Sequence, residues 1–168
     1  SVITHDDEVS DQIYYEYKKT KTKISFFHEK IRQRRINKNR IYDLLKLIRA
    51  SDMHGKIIFT FQTRADNVDE KIMREMFDTG FKTIFFGIES ASDRLLKIVK
   101  KGEKLEDIEN AVTMAKKIGF HVYSTFIYGL PTETHADRME CVRMCKRLKI
   151  DTVRFNNYRF CRFCAITP

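Results

Sequence analysis

Short apolar runs alternate along this chain with stripes at helical spacing, and that alternation limits what it can fold into more than any other feature. Five runs rich in apolar, β-branched or aromatic residues read as buried strands: Lys23–Phe27, Lys56–Phe61, Thr83–Ile88, His121–Tyr128 and Thr152–Phe155. Helical patterns fill the gaps. Asn37–Ala50 carries Ile41, Leu44, Leu45 and Ile48 on one face, and Asp69–Asp78 carries Ile72, Met73, Met76 and Phe77. Ser92–Lys100 and Leu105–Ile118 follow, the latter with Ile108, Val112, Ala115 and Ile118 on a shared stripe. His135–Leu148 shows Met139, Val142, Cys145 and Leu148, and Val9–Tyr17 reads as a helix ahead of the first strand.

Successive strands start about 30 residues apart, the length of one strand–helix crossover. Right-handed crossovers make such a sheet parallel, and near-continuous apolar runs suit strands covered on both faces. The expected fold class is α/β: a partial (β/α) barrel of about five parallel strands with outer helices. The chain has 168 residues, 42% hydrophobic and 33% charged, enough apolar content for one core and too much for disorder. Residues 1–168 are therefore expected to form a single domain ending in an irregular tail over 158–168. No apolar stretch nears the ~20 residues of a membrane helix. Residues 1–20 also lack the basic-then-apolar order of a signal peptide, so a soluble cytoplasmic protein without a membrane partner is expected.

With only six glycines and two prolines, glycine placement is informative. Gly55, Gly80 and Gly119 each follow a helix, where a left-handed residue ends it before the next strand. Gly87 and Gly129 sit instead at strand carboxyl ends, where backbone can approach a ligand closely. In parallel α/β sheets and barrels ligands bind at those ends. They carry His28-Glu29-Lys30, Gln62-Thr63-Arg64-Ala65-Asp66, Gly87-Ile88-Glu89-Ser90-Ala91-Ser92, Tyr128-Gly129-Leu130-Pro131-Thr132-Glu133 and Asn156-Asn157.

Each of these residues has a structural alternative. Ser90 and Ser92 suit the start of the helix at Asp93, and Asp66 or Asn67 suits the cap of the preceding one. Glu89 at a strand end can bind a ribose hydroxyl or an ammonium group. Arg64 can grip a carboxylate bidentately. Gln62 is expected to point inward, continuing the alternation of Phe59 and Phe61.

Cys141 and Cys145 are spaced for one helix face, and Cys161 and Cys164 form a Cys-x-x-Cys pair. Four thiolates have the number for a zinc or iron–sulfur site. Yet Cys145 lies on an apolar stripe and the later pair lies in a tail without histidine or carboxylate beside it, so no metal is assigned. The five histidines show no ligand spacing. The net charge of +9 is spread along the chain, apart from Lys30-Ile31-Arg32-Gln33-Arg34-Arg35 with Lys38 and Arg40 beyond it. That stretch reads as solvated helix face or as a patch for nucleic acid or an anionic metabolite.

Three ordered motifs resemble the radical S-adenosylmethionine (SAM) superfamily, above all its branch of cobalamin-dependent radical SAM proteins and tRNA methylthiolation enzymes. They are Phe85-Phe86-Gly87-Ile88-Glu89-Ser90-Ala91-Ser92, then Ile98-Val99-Lys100-Lys101-Gly102, then Phe126-Ile127-Tyr128-Gly129-Leu130-Pro131-Thr132-Glu133-Thr134. Gln62-Thr63-Arg64-Ala65-Asp66, Gly80-Phe81 and Asp11-Gln12-Ile13 fit the same pattern, and the likeness runs from about residue 8 to 157.

The resemblance implies a partial barrel of about six units that binds SAM across the strand carboxyl ends. It implies that Gln62 lies close to SAM with Arg64 beside it, that Glu89 serves the sugar hydroxyls, that Ser90 next to it also belongs to the cofactor site, and that Lys101 meets the methionine carboxylate. Thr125, Ile127 and Gly129 match the strand that packs against adenine and ribose, and His28-Glu29 takes the turn near the methionine amino group. A complete member cleaves SAM reductively at a [4Fe–4S] cluster and so starts radical chemistry on its substrate, here unknown.

Departures from the family are equally specific. The Cys-x-x-x-Cys-x-x-Cys loop that holds the [4Fe–4S] cluster is absent and would precede residue 1, and its ligands are not replaced by the four cysteines present. Cobalamin, where members of this branch carry it, would belong to a domain upstream of residue 1. Thr132 and Ala91 replace glycines, and the pattern stops after Asn157. The expectation is a truncated core, unable to cleave SAM alone. Its strand Lys23–Phe27 would then be an exposed edge open to self-association. The alternatives are a cluster-free basic remnant binding RNA through Lys30–Arg40, and a barrel enzyme using Arg64 and Glu89 on an anionic metabolite.

Overall fold

The computed structural model describes residues 24–27 by their backbone, and 38–52 and 54–158 with their side chains. The predicted helix Val9–Tyr17, His28-Glu29, most of the Lys30–Arg40 stretch, Cys161 and Cys164 lie outside the described residues.

Five strands form one sheet: β1 (Ile24–Phe27), β2 (Ile58–Thr63), β3 (Phe81–Glu89), β4 (His121–Tyr128) and β5 (Thr152–Asn157). They stand side by side in chain order and every pairing is parallel. Five helices alternate with them: α1 (Lys38–Ala50), α2 (Glu70–Thr79), α3 (Asp93–Ile98), α4 (Leu105–Ile118) and α5 (His135–Arg147), with a 3₁₀ turn at Ala65–Asn67. Sequential parallel order with right-handed crossovers places the helices on one side of the sheet and makes it a barrel segment.

Burial follows that geometry. Phe59 and Phe61 on β2, Ile84, Phe86 and Ile88 on β3, and Val122, Ser124 and Phe126 on β4 are buried against the helices. The alternate residues, Gln62, Phe85, Gly87, Glu89, Thr125 and Ile127, are half-buried or exposed on the opposite, open face. Gln62 thus points away from Phe59 and Phe61. A strand has a side-chain period of two, so residue 62 cannot share a face with 59 and 61, and the expected alternation was out of phase.

An aromatic cluster centres the core. Phe61 meets Phe81 and Phe120 edge-on, each with ring centroids 5.7 Å apart, and Phe77 meets Phe120 at 5.1 Å. Each fully buried ring contributes roughly 1.5–3 kcal/mol through burial alone. Gly119, with φ 110° at the end of α4, lets the chain turn into Phe120, and a Cβ there would press on Phe77 at 3.2 Å.

Local signals end the helices close to the predicted bounds, with two corrections. The α2 cap is Asp69, which accepts from the Ile72 backbone at 3.1 Å; Asp66 and Asn67 sit in the 3₁₀ turn instead. On α5 the buried residues are Cys141 and Met144, while Met139 is exposed. The inward stripe is therefore rotated from the predicted one. Thr134 and Asp137 form a reciprocal capping box that starts this helix.

Candidate functional site at the strand carboxyl ends

Glu89 ends β3 with φ 67°, a value that non-glycine residues seldom hold. The β3–β4 register shifts between Gly87 and Glu89, so the side chain folds back over the strand. A Cβ on Gly87 would lie 2.7 Å from Glu89 Oε1 and 3.2 Å from Lys101 Nζ. Gly87 is the cradle in which this carboxylate and this ammonium group lie.

Lys101, between α3 and α4, brings its Nζ 3.5 Å from Glu89 Oε1 and 3.3 Å from Glu103 Oε2. The Glu103 side chain is 1% exposed, and its Oε1 accepts from the Ala65 backbone at 2.6 Å. Its Oε2 has no hydrogen-bond partner and is balanced only by the charges of Lys101 and of Arg64, 3.9 Å away. Arg64 donates through Nε and Nη2 to Asp66 at 2.9 and 2.8 Å and through Nη1 to the Lys101 carbonyl at 3.1 Å. Its bidentate fork is thus held by the chain's own Asp66, not presented to an incoming carboxylate.

Thr125 pairs with Gly87 across the sheet, and Ile127 lies one step further toward the same rim. Phe85 and Tyr123 stack at 4.5 Å beneath them. Gly129, with φ 81°, follows β4; its N–H donates to Glu133 Oε2 at 2.6 Å, and a Cβ there would approach Asn157 Oδ1 to 3.2 Å. Thr132 holds φ 66° and receives a hydrogen bond from Arg94 at 2.6 Å. Arg94 also pairs with Asp137 at 2.8 Å, tying the start of α3 to the β4–α5 loop.

The fold therefore joins Arg64, Glu89 and Lys101 in one charged cluster and sets Gln62, Thr125 and Ile127 on the same open face, with Gly129 in the loop beyond. Ser90 is placed elsewhere. It is 1% exposed and turned toward the helices beside Cys141, whose sulfur accepts from the Ala91 backbone at 3.3 Å. Ser92 occupies the α3 cap position without a side-chain capping bond. Glu103 and Arg94 escaped the sequence reading, and Asp66 was read there as a helix cap and not as the partner of Arg64. The i, i+2 spacing of Arg64 and Asp66 was a usable sign of pairing, whereas nothing local marks Glu103 as buried.

The radical SAM superfamily pattern matches residues 31–145, which include β2, β3, β4 and every residue of the charged cluster. The chain belongs to the radical SAM superfamily. An uncharacterized methyltransferase of Pyrococcus horikoshii is 35% identical over 120 residues, which make up 71% of this chain and 26% of that protein. The tRNA-2-methylthio-N(6)-dimethylallyladenosine synthase of Buchnera aphidicola is 34% identical over 67 residues, 39% of this chain and 15% of that protein. The chain spans about a quarter of the length of the curated relatives it matches first. Among solved structures, the radical SAM methyltransferase TsrM of Kitasatospora setae, with cobalamin and a [4Fe–4S] cluster bound, superposes with a TM-score of 0.75. That match has 17% identity and covers 91% of this chain and 31% of TsrM, a likeness of fold.

Superfamily membership implies SAM and a [4Fe–4S] cluster, and the two fit the described residues differently. Glu89, a carboxylate at a strand end on an open face beside Gly87, suits the hydroxyls of a nucleoside. The described thiols do not suit a cluster. Burial pushes Cys141 up and Cys145 up to about 11, and both sit among the helices, across the sheet from Glu89. Among the described residues no group of three His, Cys, Asp or Glu side chains is arranged to hold a metal ion. No helix among them is long and apolar enough to cross a membrane. Lys38, the described lysine of the basic stretch, is engaged with Asp69 at 2.7 Å.

Proposed function

We propose that this chain supplies the SAM-binding part of a radical SAM core, with the nucleoside lying over the carboxyl ends of β3 and β4. The observation that carries this reading is the Glu89 carboxylate, held over Gly87 on the open face and within reach of solvent. It accepts from the ribose hydroxyls. Thr125 and Ile127 flank the base, Gln62 borders the site from β2, and Gly129 gives the rim a backbone without a side chain in the way. Bound at a reduced iron–sulfur cluster, SAM supplies the superfamily's radical chemistry. The residues described here bind and orient it, and no described cysteine is assigned to the cluster.

Equilibrium titration of the chain with SAM tests the proposal. Binding should weaken about tenfold in Glu89→Gln, the loss expected when a charge-assisted hydrogen bond becomes neutral. Equal affinity of wild type and Glu89→Gln, or no binding by the wild type, would overturn it.

A further inference from the structure

Glu103 has an unusual position for a carboxylate. Its side chain is 1% exposed, one oxygen takes the Ala65 N–H at 2.6 Å, and the other is buried without a hydrogen bond. A buried carboxylate left half-satisfied is costly unless cations compensate it. Lys101, at 3.3 Å, is the nearer of the two that do, and it lies 3.5 Å from Glu89 on its other side. The ammonium group is thus shared by two carboxylates, one buried and bonded to the Ala65 backbone, the other at the rim.

We infer that Glu103 is a positioning residue that acts through Lys101 to fix the Glu89 carboxylate over Gly87, so that Lys101 serves as a tether and not as a contact for a ligand carboxylate. The charges support this. Glu89, Lys101 and Glu103 together carry one net negative charge, and the Arg64 fork is already engaged by Asp66. A trio of that sign does not attract an anion; it favours a hydroxyl or ammonium donor at Glu89. Glu89 also holds a left-handed backbone, φ 67°, a strained conformation for a residue with a Cβ that persists only where surrounding contacts dictate it. The tether is such a contact. The inference rests on the reading of Glu89 as the ribose-binding group.

Two measurements separate the inference from that reading. Trace acetylation of the folded protein with acetic anhydride, followed by peptide mass spectrometry, reports Lys101 directly, with the exposed Lys46 as internal reference. In Glu103→Gln, whose amide oxygen still serves Ala65, the Lys101/Lys46 ratio should rise severalfold; an unchanged ratio overturns the tether. Affinities for SAM and for its 2′-deoxyribose analogue give the second readout. The wild type should discriminate between them about tenfold, and Glu103→Gln should lose most of that discrimination. Lys101→Met should lose it too, and the double variant should lose no more than either single one. A purely structural role would lower both affinities alike and keep the ratio. Wild-type protein indifferent to the hydroxyl overturns the ribose reading, while the acetylation result still decides the tether.

Discussion

The Glu89 carboxylate occupies the space a Gly87 side chain would fill: a Cβ there would stand 2.7 Å from Glu89 Oε1. The obstructing atom is the far end of a flexible side chain, so a methyl group displaces the carboxylate more readily than it disturbs the sheet. Gly87→Ala should change stability by less than about 1 kcal/mol, since the lost chain entropy of glycine works in favour of the variant. SAM affinity should fall about as far as in Glu89→Gln. Urea denaturation alongside ligand titration checks both halves, and a variant with unaltered affinity would contradict the cradle.

Two helix starts make a paired test. Thr134 bonds the Asp137 backbone and completes a capping box, whereas Ser92 occupies the cap position of α3 without a side-chain capping bond. Thr134→Ala should cost about 1 kcal/mol. Ser92→Ala should stay within about 0.5 kcal/mol of wild type. Equal costs at the two sites would show that the local hydrogen bonds do not decide cap strength here.

Phe120 joins Phe61 and Phe77 in the aromatic cluster and is 1% exposed. Phe120→Ala should destabilise by about 3–5 kcal/mol, the sum of lost transfer energy and an unfilled cavity. A loss of unfolding free energy in urea of under about 1 kcal/mol would mean that the helices collapse into the space.

Acid should unfold the protein through three carboxylates. A hydrogen bond from Lys38 holds Asp69 below its ordinary value, and Thr134 does the same for Asp137. At Asp151 burial works upward, yet Lys116 and the Val122 N–H, each at 2.7 Å, outweigh it. With folded values depressed, the unfolded chain binds more protons through the ordinary carboxylate range. Their contribution is therefore fully present above about pH 4 and is lost as pH falls through the depressed values. Denaturation midpoints measured from pH 6 to pH 2 should decline, more shallowly in Asp151→Asn; parallel profiles would remove Asp151 from the set.

Much of this molecule is legible in one dimension. Among the described residues, the order of apolar runs and helical stripes places five strands and five helices within a few residues of where they fold. It does so because hydrophobic period and glycine stops act over a single turn or strand. Gly87, Glu89 and Lys101 stand out for the same reason: each sits in a short motif at a strand or helix end. What the pattern misplaces are facings and partners. Gln62 faces the side of β2 opposite the one its alternation suggests, Ser90 lies beneath α5, and Arg64 spends its fork on Asp66. Glu103 shows why. It is one loop residue among several charged ones until the chain folds and brings Ala65 within 2.6 Å and Lys101 within 3.3 Å. Burial of a charge and the identity of its counter-ion depend on segments dozens of residues apart, so only the packed structure sets them.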